Sequence, residues 1–440
     1  MKKTFLSSIL LSFVSYLGFS QALDKQKLDA YFDALEKNDR FMGSVAISQN
    51  SKVIYTRSVG FADVESQTKA DQSSRYRIGS ITKTFTATLV MKAVESNKIS
   101  LDQTIDKYYP AVKNASKITI RHLLNHRSGI HNLTDDAAYA SYYTRAKTEE
   151  ELLDIIIKGG TDFEPDSKMV YSNSNYILLT FILKKSFKKP YAELLKEFIT
   201  EPLGLRNTYV GGKISLQNKE ASSYTTGENW VKAPETDTSV PLGAGSIVST
   251  PTDLVKFSDA LFAGKVVNSK SLEQMKTLKD NFGFGLIQMP FYDKKGFGHT
   301  GGIDGFSSVF IHFPQDAVSY ALISNGTNFN NNDISIAVLS AVFGKPYSIP
   351  EFKKGITLSP EELDKYLGVY SSTAIPLKVT ITKKDNTLIG QATGQGAFPL
   401  EALEKDKFGF AQAGVILEFK PAEKAMVLKQ GGGEYRFSRD

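Results

Sequence analysis

The chain has 440 residues, too many for one ordinary hydrophobic core, which indicates one large domain with a smaller one. Its composition, 41% hydrophobic and 23% charged, is typical of a globular protein. It contains no cysteine, which excludes disulfides, thiolate catalysis, cysteine-ligated zinc and lipid attachment through an N-terminal cysteine. The formal charge of +6 comes from basic residues scattered among acidic ones, so the sequence indicates no nucleic-acid partner.

The first predicted element is a secretory leader, residues 1–20. Two lysines precede a mostly apolar stretch up to Phe19, and Gly18 and Ser20 are small residues suited to a cleavage site after Ser20. The stretch is shorter than the roughly 20 apolar residues that span a bilayer, so a cleaved leader is favoured over a retained anchor. No other segment is apolar enough to cross a membrane. We therefore expect an exported protein, periplasmic or secreted.

A helix and a hairpin are predicted next. Apolar residues at helical spacing predict an amphipathic helix over residues 28–36. Two alternating segments, 43–48 and 51–56, predict a β-hairpin that turns at Gln49 and Asn50.

The motif Ser-x-x-Lys then occurs three times, and its context separates the copies. Ser80, with Lys83, follows Gly79 and opens a run whose apolar residues recur every fourth position, which predicts a buried helix beginning at Ser80. The copy at Ser66 lies in polar turn sequence, and the copy at Ser186 lies in a basic helix end stopped by proline. Because positions i and i+3 share a helix face, Lys83 is expected to point its amine at the Ser80 hydroxyl. The helix start also offers unpaired N–H groups that favour an oxyanion.

The middle of the chain is predicted to be largely helix and loop, and strands return after it. Thr250 and Pro251 predict a capped helix that ends at Leu261. Strand patterns follow at residues 306–313 and 318–323. Strands near both ends of this region predict one sheet built from both ends and covered by helices.

Two further polar clusters follow Ser80 in a fixed order. They are Tyr171-Ser172-Asn173 and His299-Thr300-Gly301. The first offers a phenol and an amide, and the second offers a polar strand edge that can hold a substrate beside developing negative charge. An acyl-transferring serine hydrolase needs these contributions together with a nucleophile and an adjacent amine.

The last part of the chain has a different sequence pattern from the rest. Residues 346–358 contain several prolines and are predicted to be a linker, and residues 359–440 alternate between apolar and polar positions with turn residues between them. This tail is predicted to be a small all-β unit, closed or nearly closed into a barrel. The predicted organisation is therefore a leader at 1–20, a main domain at 21–345, the linker, and the small β domain.

Metal and α/β-hydrolase chemistry are both disfavoured. His122, His126 and His131 are close in sequence, but no Glu-x-x-His arrangement accompanies them, and no cofactor or metal is expected. The chain also lacks a Gly-x-Ser-x-Gly elbow, which argues against an α/β-hydrolase.

The three clusters together carry a family resemblance. The ordered set Ser80-x-x-Lys83, Tyr171-x-Asn173 and His299-Thr300-Gly301 resembles the class C β-lactamases, the D-alanyl-D-alanine carboxypeptidases and their secreted esterase and peptidase relatives. Segments 122–130 and 243–250 are similar to family segments as well, and the resemblance covers about residues 25–345. The tail is similar to the lipocalin-like extensions of some members.

This resemblance implies a fold. It is an α+β, β-lactamase/transpeptidase-like fold, in which an antiparallel sheet is flanked by helices and joined by a mostly helical subdomain. A small all-β C-terminal domain follows it.

The resemblance also implies a role for each cluster. Ser80 attacks a carbonyl and is acylated, while Lys83 and Tyr171 share the general-base task, and we expect the phenol to lose its proton more easily beside an ammonium. Asn173 orients Lys83 and the substrate amide. The backbone N–H groups of Ser80 and Gly302 form the oxyanion hole. The implied substrate-binding residues are Asn173, His299, Thr300, Gly301 and Gly302.

One residue departs from the β-lactamase pattern. The β-lactamases of this group usually carry lysine where this chain has His299. A lysine is a permanent cation suited to a substrate carboxylate, whereas histidine near neutral pH is mostly uncharged. Efficient β-lactam hydrolysis is therefore not expected.

Three functions remain open on the sequence. The favoured one is an exported serine hydrolase that acts through an acyl-enzyme on a peptide, a D-amino-acid amide or an ester, with cell-wall peptides among the candidate substrates. The others are a working β-lactamase and a non-catalytic penicillin-binding-like protein. The pocket loops around residues 131–165 and 212–240 match nothing specific, so the substrate and the oligomeric state stay undetermined.

Overall fold

The computed structural model describes residues 23–226, 229–352 and 355–440 of the chain. The predicted leader lies outside these residues. The strands that precede the tail are β1 (Phe41–Gln49), β2 (Lys52–Val59), β3 (Phe61–Asp63), β4 (Thr68–Lys69), β5 (Tyr76–Arg77), β6 (Tyr209–Val210), β7 (Tyr224–Thr226), β8 (Trp230–Lys232), β9 (Ile247–Ser249), β10 (Ile287–Phe291), β11 (Lys294–Ile303), β12 (Phe306–Phe313) and β13 (Val318–Thr327).

Helices and loops alternate in the sequence between the strands. The helices are α1 (Lys25–Lys37), α2 (Thr82–Glu95), α3 (Ile120–Leu124), α4 (Glu149–Gly159), α5 (Asn173–Phe187), α6 (Tyr191–Leu195), α7 (Pro251–Phe262), α8 (Ser269–Lys276), α9 (Asn331–Val342) and α10 (Pro360–Leu363). None of these helices has the length and apolar character that crossing a bilayer requires.

The main sheet has six strands in the order β10-β11-β12-β13-β1-β2, and each neighbouring pair is antiparallel. The predicted sheet built from both ends of the region is thereby confirmed. Helices α1 and α9 pack on one face through a cluster that includes Phe32 and Val338. A larger cluster on the other face includes Phe85 of α2 and Phe257 of α7. Because both faces are covered, nearly every residue of β1 is buried.

The predicted local elements differ from the observed ones at their ends. The first helix begins at Lys25, earlier than predicted, because the Asp24 side chain accepts a hydrogen bond from the Lys27 backbone N–H. The hairpin turns at Asn50 and Ser51, one residue later than predicted, and both have positive φ. This conformation matches the twist of a two-residue hairpin loop.

Two of the longest helices form the buried centre of the helical region. Most residues of α2 and α5 are buried, and the two helices pack against each other. Helix α7 begins as predicted, since the Thr250 side chain accepts a hydrogen bond from the Asp253 backbone N–H. Ser80 itself lies in a 3-10 turn, Gly79–Ile81, and the α-helix begins only at Thr82.

The tail forms a closed barrel of eight antiparallel strands, as the alternating pattern predicted. The strands are β14 (Gly368–Ser371), β15 (Lys378–Lys384), β16 (Thr387–Ala392), β17 (Phe398–Glu404), β18 (Lys407–Phe410), β19 (Val415–Lys420), β20 (Ala425–Gln430) and β21 (Gly433–Arg439). Its core includes Tyr366, Phe408 and Phe419, whose rings contact one another. Closure pairs β14 with β21 and leaves no open sheet edge in the barrel.

Candidate active site

Ser80 lies in the turn before α2, close to strand β11. Gly79 has φ +49, and a Cβ at this position would lie 2.8 Å from the backbone nitrogen of Gly302. A glycine is therefore needed both for the left-handed backbone and for the close approach of the turn to the strand. Ser80 and Gly302 line one cavity of about 430 Å³, hereafter the Ser80 cavity.

Lys83 is fully buried, and its amine contacts three oxygen atoms. Nζ lies 3.1 Å from Ser80 Oγ, 2.8 Å from Asn173 Oδ1 and 2.8 Å from the backbone oxygen of Ala244. The last two are carbonyl oxygens and only accept, whereas the serine hydroxyl can donate. Burial holds the pKa of Lys83 well below its ordinary value. A neutral amine at this position can therefore donate to both carbonyls and turn its lone pair to the Ser80 hydroxyl.

The phenol of Tyr171 lies against the same pair. The Ser80 side chain acts on it electrostatically, and Lys83 Nζ lies 4.9 Å from the centroid of its ring. The prediction that this phenol loses its proton more easily is wrong, because burial raises the pKa of Tyr171 and the nearby Ser80 side chain offsets only part of that effect. Desolvation penalises both a tyrosinate and an ammonium, so the buried pair is favoured as a neutral phenol beside a neutral amine.

Asn173, the first residue of α5, belongs to a chain of hydrogen bonds that ends at Lys83. Asn132 Nδ2 donates to Asp135 Oδ1 at 2.8 Å, and Asn132 Oδ1 accepts from Asn173 Nδ2 at 3.2 Å and from the Asn173 backbone N–H at 2.9 Å. Thr134 Oγ1 accepts from both amides. A carboxylate only accepts, so Asp135 fixes which way each amide points and directs Asn173 Oδ1 to Lys83.

His299 lies on β11, near the phenol. It is buried, and its ring centroid lies 6.5 Å from that of Tyr171. Nδ1 is 2.6 Å from the backbone oxygen of Thr300, so this nitrogen carries the proton and Nε2 remains an acceptor. Burial lowers the pKa of His299 to about 4, so the ring is neutral at pH 7.

The structure does not bring Thr300 and Gly301 into the wall of the Ser80 cavity. Both line a separate cavity of about 580 Å³ beneath α9. The Thr300 side chain is exposed, and Gly301 packs on the Ile78 main chain so closely that a Cβ would lie 2.1 Å from its oxygen. Successive residues of a strand point to opposite faces, which separates Thr300 from its neighbours. Of the five expected substrate-binding residues, Asn173 and Gly302 line the Ser80 cavity.

Two segments supply much of the cavity wall, and they lie within the ranges predicted to be pocket loops. They contribute Leu133, Thr134, Tyr139, Tyr143, Thr225, Ala233, Pro234, Thr236 and Val240. The rings of Tyr139 and Tyr143 stack with their centroids 5.6 Å apart. The wall is therefore largely apolar and aromatic.

Arg77, which the sequence analysis missed, holds one side of this wall together. Its side chain is 2% exposed and forms ion pairs with Glu235 at 2.6 Å and with Asp304 at 2.9 Å. It also donates to the backbone oxygens of Gly212 and Thr236. Asp304 is the one charged side chain among the described residues that line the cavity, and it is 1% exposed. No described residue of the wall thus offers a free cation to a substrate carboxylate.

The remaining motifs lie in other settings. Ser66 donates to Asp63 within a turn, and Ser186 lies near the end of α5, 3.3 Å from the Tyr108 hydroxyl. Neither contacts the lysine three residues on. Within the described ranges, no group of three or more histidine, cysteine or acidic side chains is arranged to hold a metal ion.

Comparisons with known proteins agree with this geometry. A family model described as Beta-lactamase matches residues 28–343. Penicillin-binding protein 4* of Bacillus subtilis (strain 168) is 26% identical over 93% of this chain and 97% of its own length. Teichoic acid D-alanine hydrolase of Staphylococcus aureus (strain MRSA252) is 27% identical over 71% of this chain and 75% of its own length. The crystal structure of D-amino acid amidase from Ochrobactrum anthropi SV3 has a TM-score of 0.64 and 27% identity, and covers 72% of this chain and 99% of the amidase.

Proposed function

This chain is a serine hydrolase that belongs to the Beta-lactamase family, and we propose that it is exported and forms an acyl-enzyme on Ser80 with D-amino-acid amides, peptides or esters. The observation that carries the proposal is the setting of the Lys83 amine. It lies 3.1 Å from the Ser80 hydroxyl, and its two other partners are carbonyl oxygens. A buried amine in that setting is suited to take a proton from serine.

The proposed reaction begins with neutral Lys83. Lys83 accepts the hydroxyl proton as Ser80 Oγ bonds to the substrate carbonyl carbon, and the carbonyl electrons move to its oxygen. The backbone N–H groups of Ser80 and Gly302 donate to that oxyanion, a contribution that is typically worth about 10²–10³ in turnover for each donor. The proton then passes to the departing amine or alcohol as its bond to the carbon breaks. Water attacks the acyl-enzyme by the same steps and frees the acid.

The other residues relay the proton or position the reacting groups in this proposal. The Tyr171 phenol stays protonated near Ser80, so it can relay the proton to the leaving group without becoming an anion. Asn173 fixes the Lys83 amine and faces the cavity, where it can also bind the substrate amide. His299 stays neutral beside the phenol.

The cavity favours a subset of the family's substrates. A carboxylate next to the scissile bond needs a cation, but Arg77 is already paired with two carboxylates, and His299 has a pKa of about 4. Amides and esters without that carboxylate therefore fit better than β-lactams or free D-alanyl-D-alanine ends. The names of two relatives, a D-alanine hydrolase and a D-amino acid amidase, point in the same direction.

We assign the proposed activity to a domain at residues 21–345, joined by a linker at 346–358 to the barrel domain at 359–440. The leader at 1–20 is expected to be removed on export. The test of export is the N-terminal sequence of the mature protein recovered outside the cytoplasm. A mature chain that retains Met1 would contradict it.

The test of the activity is acylation of Ser80. A panel of D- and L-amino-acid amides, peptides and short esters should be turned over, and intact-mass measurement should show a transient acyl adduct that is absent from Ser80→Ala. Ser186→Ala is the matched control, since it removes a serine from an identical Ser-x-x-Lys spacing and should leave the rate unchanged. Lys83→Ala should lower turnover by at least about 10², the scale of a general base, and Tyr171→Phe by a similar factor.

The competing functions give different results in the same assay. Rapid hydrolysis of a β-lactam, faster than that of any amide or ester, would favour a β-lactamase. No adduct and no turnover with the whole panel would favour a non-catalytic binding protein.

A further inference from the structure

A third cavity, also of about 580 Å³, lies between the main sheet and the barrel. We call it the inter-domain cleft. Its walls on the sheet side come from Tyr224–Thr226 and from the β11–β12 turn at Asp304 and Gly305, and its walls on the barrel side include Phe398 and Phe410. Thr225 and Asp304 line both this cleft and the Ser80 cavity. The two cavities are therefore neighbours, and a chain-like molecule that passes these residues would occupy both.

The strand between the cavities gives the length of such a molecule. Gly302, proposed to donate to the oxyanion, is followed by Gly305 at the turn that lines the cleft. Asp304 and Gly305 form the turn after β11, so the span from Gly302 to Gly305 is shorter than the roughly 10 Å of three residues of extended strand. A peptide lying extended past this turn would reach the cleft about two to three residues from the bond that Ser80 attacks.

The cleft is held in place by contacts between the two units. Gln412 of the barrel donates from Nε2 to Thr226 Oγ1 at 2.9 Å and to the backbone oxygen of Thr327 at 2.5 Å. Arg40, just before β1, forms a two-point ion pair with Glu401 of β17, at 2.8 and 2.9 Å. A two-point pair fixes orientation as well as distance. The barrel wall thus has a defined position relative to the Ser80 cavity.

The lining of the cleft is uncharged and partly aromatic. The rings of Phe398 and Phe410 stack, with centroids 4.6 Å apart and planes 17° apart, and both are half-buried. Asn330 and Asn331 add amide groups. Among the described residues of the lining, the one charged side chain is Asp304, which is paired with Arg77. Such a surface suits an apolar side chain flanked by amide hydrogen bonds.

We propose that the inter-domain cleft is a distal subsite for a peptide substrate, which binds an uncharged apolar residue about two to three positions from the scissile bond. The proposal rests on the proposed function of Ser80. It gives the barrel domain a role in substrate selection. It also predicts that the protein prefers extended peptides to single amino-acid amides.

Two other polymers fit the cleft less well. An anionic polymer such as a polyol phosphate needs lysine or arginine along its path, and the described lining offers no free cation. A glycan stacks its sugar rings on an open aromatic face. Phe398 and Phe410 stack on each other, so one face of each ring is already covered, and Phe398 also lies against Gly390. The exposed ring edges suit a peptide side chain better.

The test measures binding and turnover of uncharged peptide amides of increasing length. One series extends from the scissile bond toward the N-terminus and the other toward the C-terminus, from about one to five residues, with leucine or glycine at the third position. In one series, the leucine peptide should bind about tenfold more tightly than the glycine peptide of the same length. This factor matches the burial of one such side chain. Binding is measured by fluorescence anisotropy with Ser80→Ala, so the result does not depend on turnover.

Variants of the cleft should remove this preference. Phe398→Ala and Phe410→Ala should abolish the tenfold difference while leaving turnover of single-residue amides within about twofold of wild type. Because these changes can loosen the barrel, Ala397→Arg provides a second test: Ala397 is exposed in the cleft wall, and the longer side chain obstructs the cleft without removing core packing. Phe198→Ala is the matched control, a half-buried phenylalanine outside the cleft, and should keep the preference.

The outcomes separate the subsite from the activity. Turnover of short amides without any leucine preference in either series would overturn the subsite and leave the hydrolase intact. Leucine-dependent binding to Ser80→Ala without turnover by the wild type would support the subsite and overturn the proposed activity. Cell-wall oligosaccharides or poly(glycerol phosphate) could also displace a bound peptide. Displacement at a competitor concentration below that of the peptide would overturn the assignment to peptides.

Discussion

The imidazole of His126 stacks on the phenol of Tyr171, with ring centroids 4.4 Å apart and ring planes 28° apart. Its Nδ1 also accepts a hydrogen bond of 3.2 Å from the backbone N–H of Ser172. One side chain thus fixes both the Tyr171 ring and the main chain beside it. Burial holds the pKa of His126 well below its ordinary value, so the ring is neutral and acts by position.

We expect His126→Ala to lower kcat by about 10² with little change in KM, because a small displacement of a reacting group costs about that much. His126→Phe keeps a ring to stack on Tyr171 but loses the acceptor for Ser172, and it should lower kcat by about tenfold. The measurement is steady-state kinetics on a D-amino-acid amide, with thermal unfolding to confirm that each variant is folded. Equal kcat values in all three proteins would show that the stack is merely packing.

The pH dependence should report the Lys83 amine. Below its pKa the amine is protonated and cannot accept the Ser80 proton, so kcat/KM should rise with pH through a single proton loss. Burial lowers the pKa of Lys83, so the midpoint should lie well below the ordinary lysine value of 10.5. Tyr171, with a raised pKa, stays protonated over this range, and His299 titrates at about 4, below it.

The profile is measured as kcat/KM between pH 5 and pH 10 with an uncharged substrate. Lys83→Arg is the matched variant, because a guanidinium keeps the positive charge but does not lose its proton in this range. It should lose both the activity and the rising limb. An activity that falls from pH 6 to pH 9 in the wild type would contradict Lys83 as the base.

Asn132 should affect turnover although three hydrogen bonds separate it from Ser80. Asn132→Leu removes the acceptor for two Asn173 N–H groups, which leaves buried donors unpaired and frees the amide to rotate. We expect kcat to fall by at least about tenfold, because Lys83 then loses the fixed Asn173 Oδ1. Thr134→Val, which removes one acceptor from the same amides, should have a smaller effect. A kcat in Asn132→Leu above that of Thr134→Val would contradict the hydrogen-bond chain.

Gly79 should be the most sensitive glycine near the site. Gly79→Ala puts a methyl group 2.8 Å from the Gly302 nitrogen and should displace an oxyanion donor, a loss of about 10²–10³ in turnover. Gly204→Ala is the matched control, since Gly204 has φ +63 with open space around it. It should cost about 1–2 kcal/mol of stability for the left-handed backbone and leave turnover unchanged. Similar turnover in the two variants would argue against Gly302 as a donor.

Much of the local structure followed from the sequence. The helix capped by Thr250, the hairpin of β1 and β2 and the alternation of the barrel strands depend on neighbours a few residues away. The spacing of Ser80 and Lys83 also sufficed to predict their contact, because one helical turn brings positions i and i+3 together. The exact helix start was not predictable, since the turn at Gly79 depends on the approach of Gly302.

Contacts between distant segments required the tertiary structure. The Lys83 partners Asn173 and Ala244 lie 90 and 161 residues away, and no local pattern marks a backbone oxygen as a ligand. The pKa of Tyr171 was predicted in the wrong direction because the sequence shows a nearby lysine but not the desolvation that outweighs it.

The sequence by itself determined which side chains this protein has for acyl transfer and in what order the chain presents them, because helical and strand periodicities are set over short distances. Only the tertiary structure decided that Arg77 is paired with two carboxylates, that Thr300 lines the cavity beneath α9, and that the barrel lines a cleft next to the Ser80 cavity. Burial, charge pairing and the joining of cavities depend on how the sheet and barrel are packed, and packing brings together residues that the sequence keeps far apart.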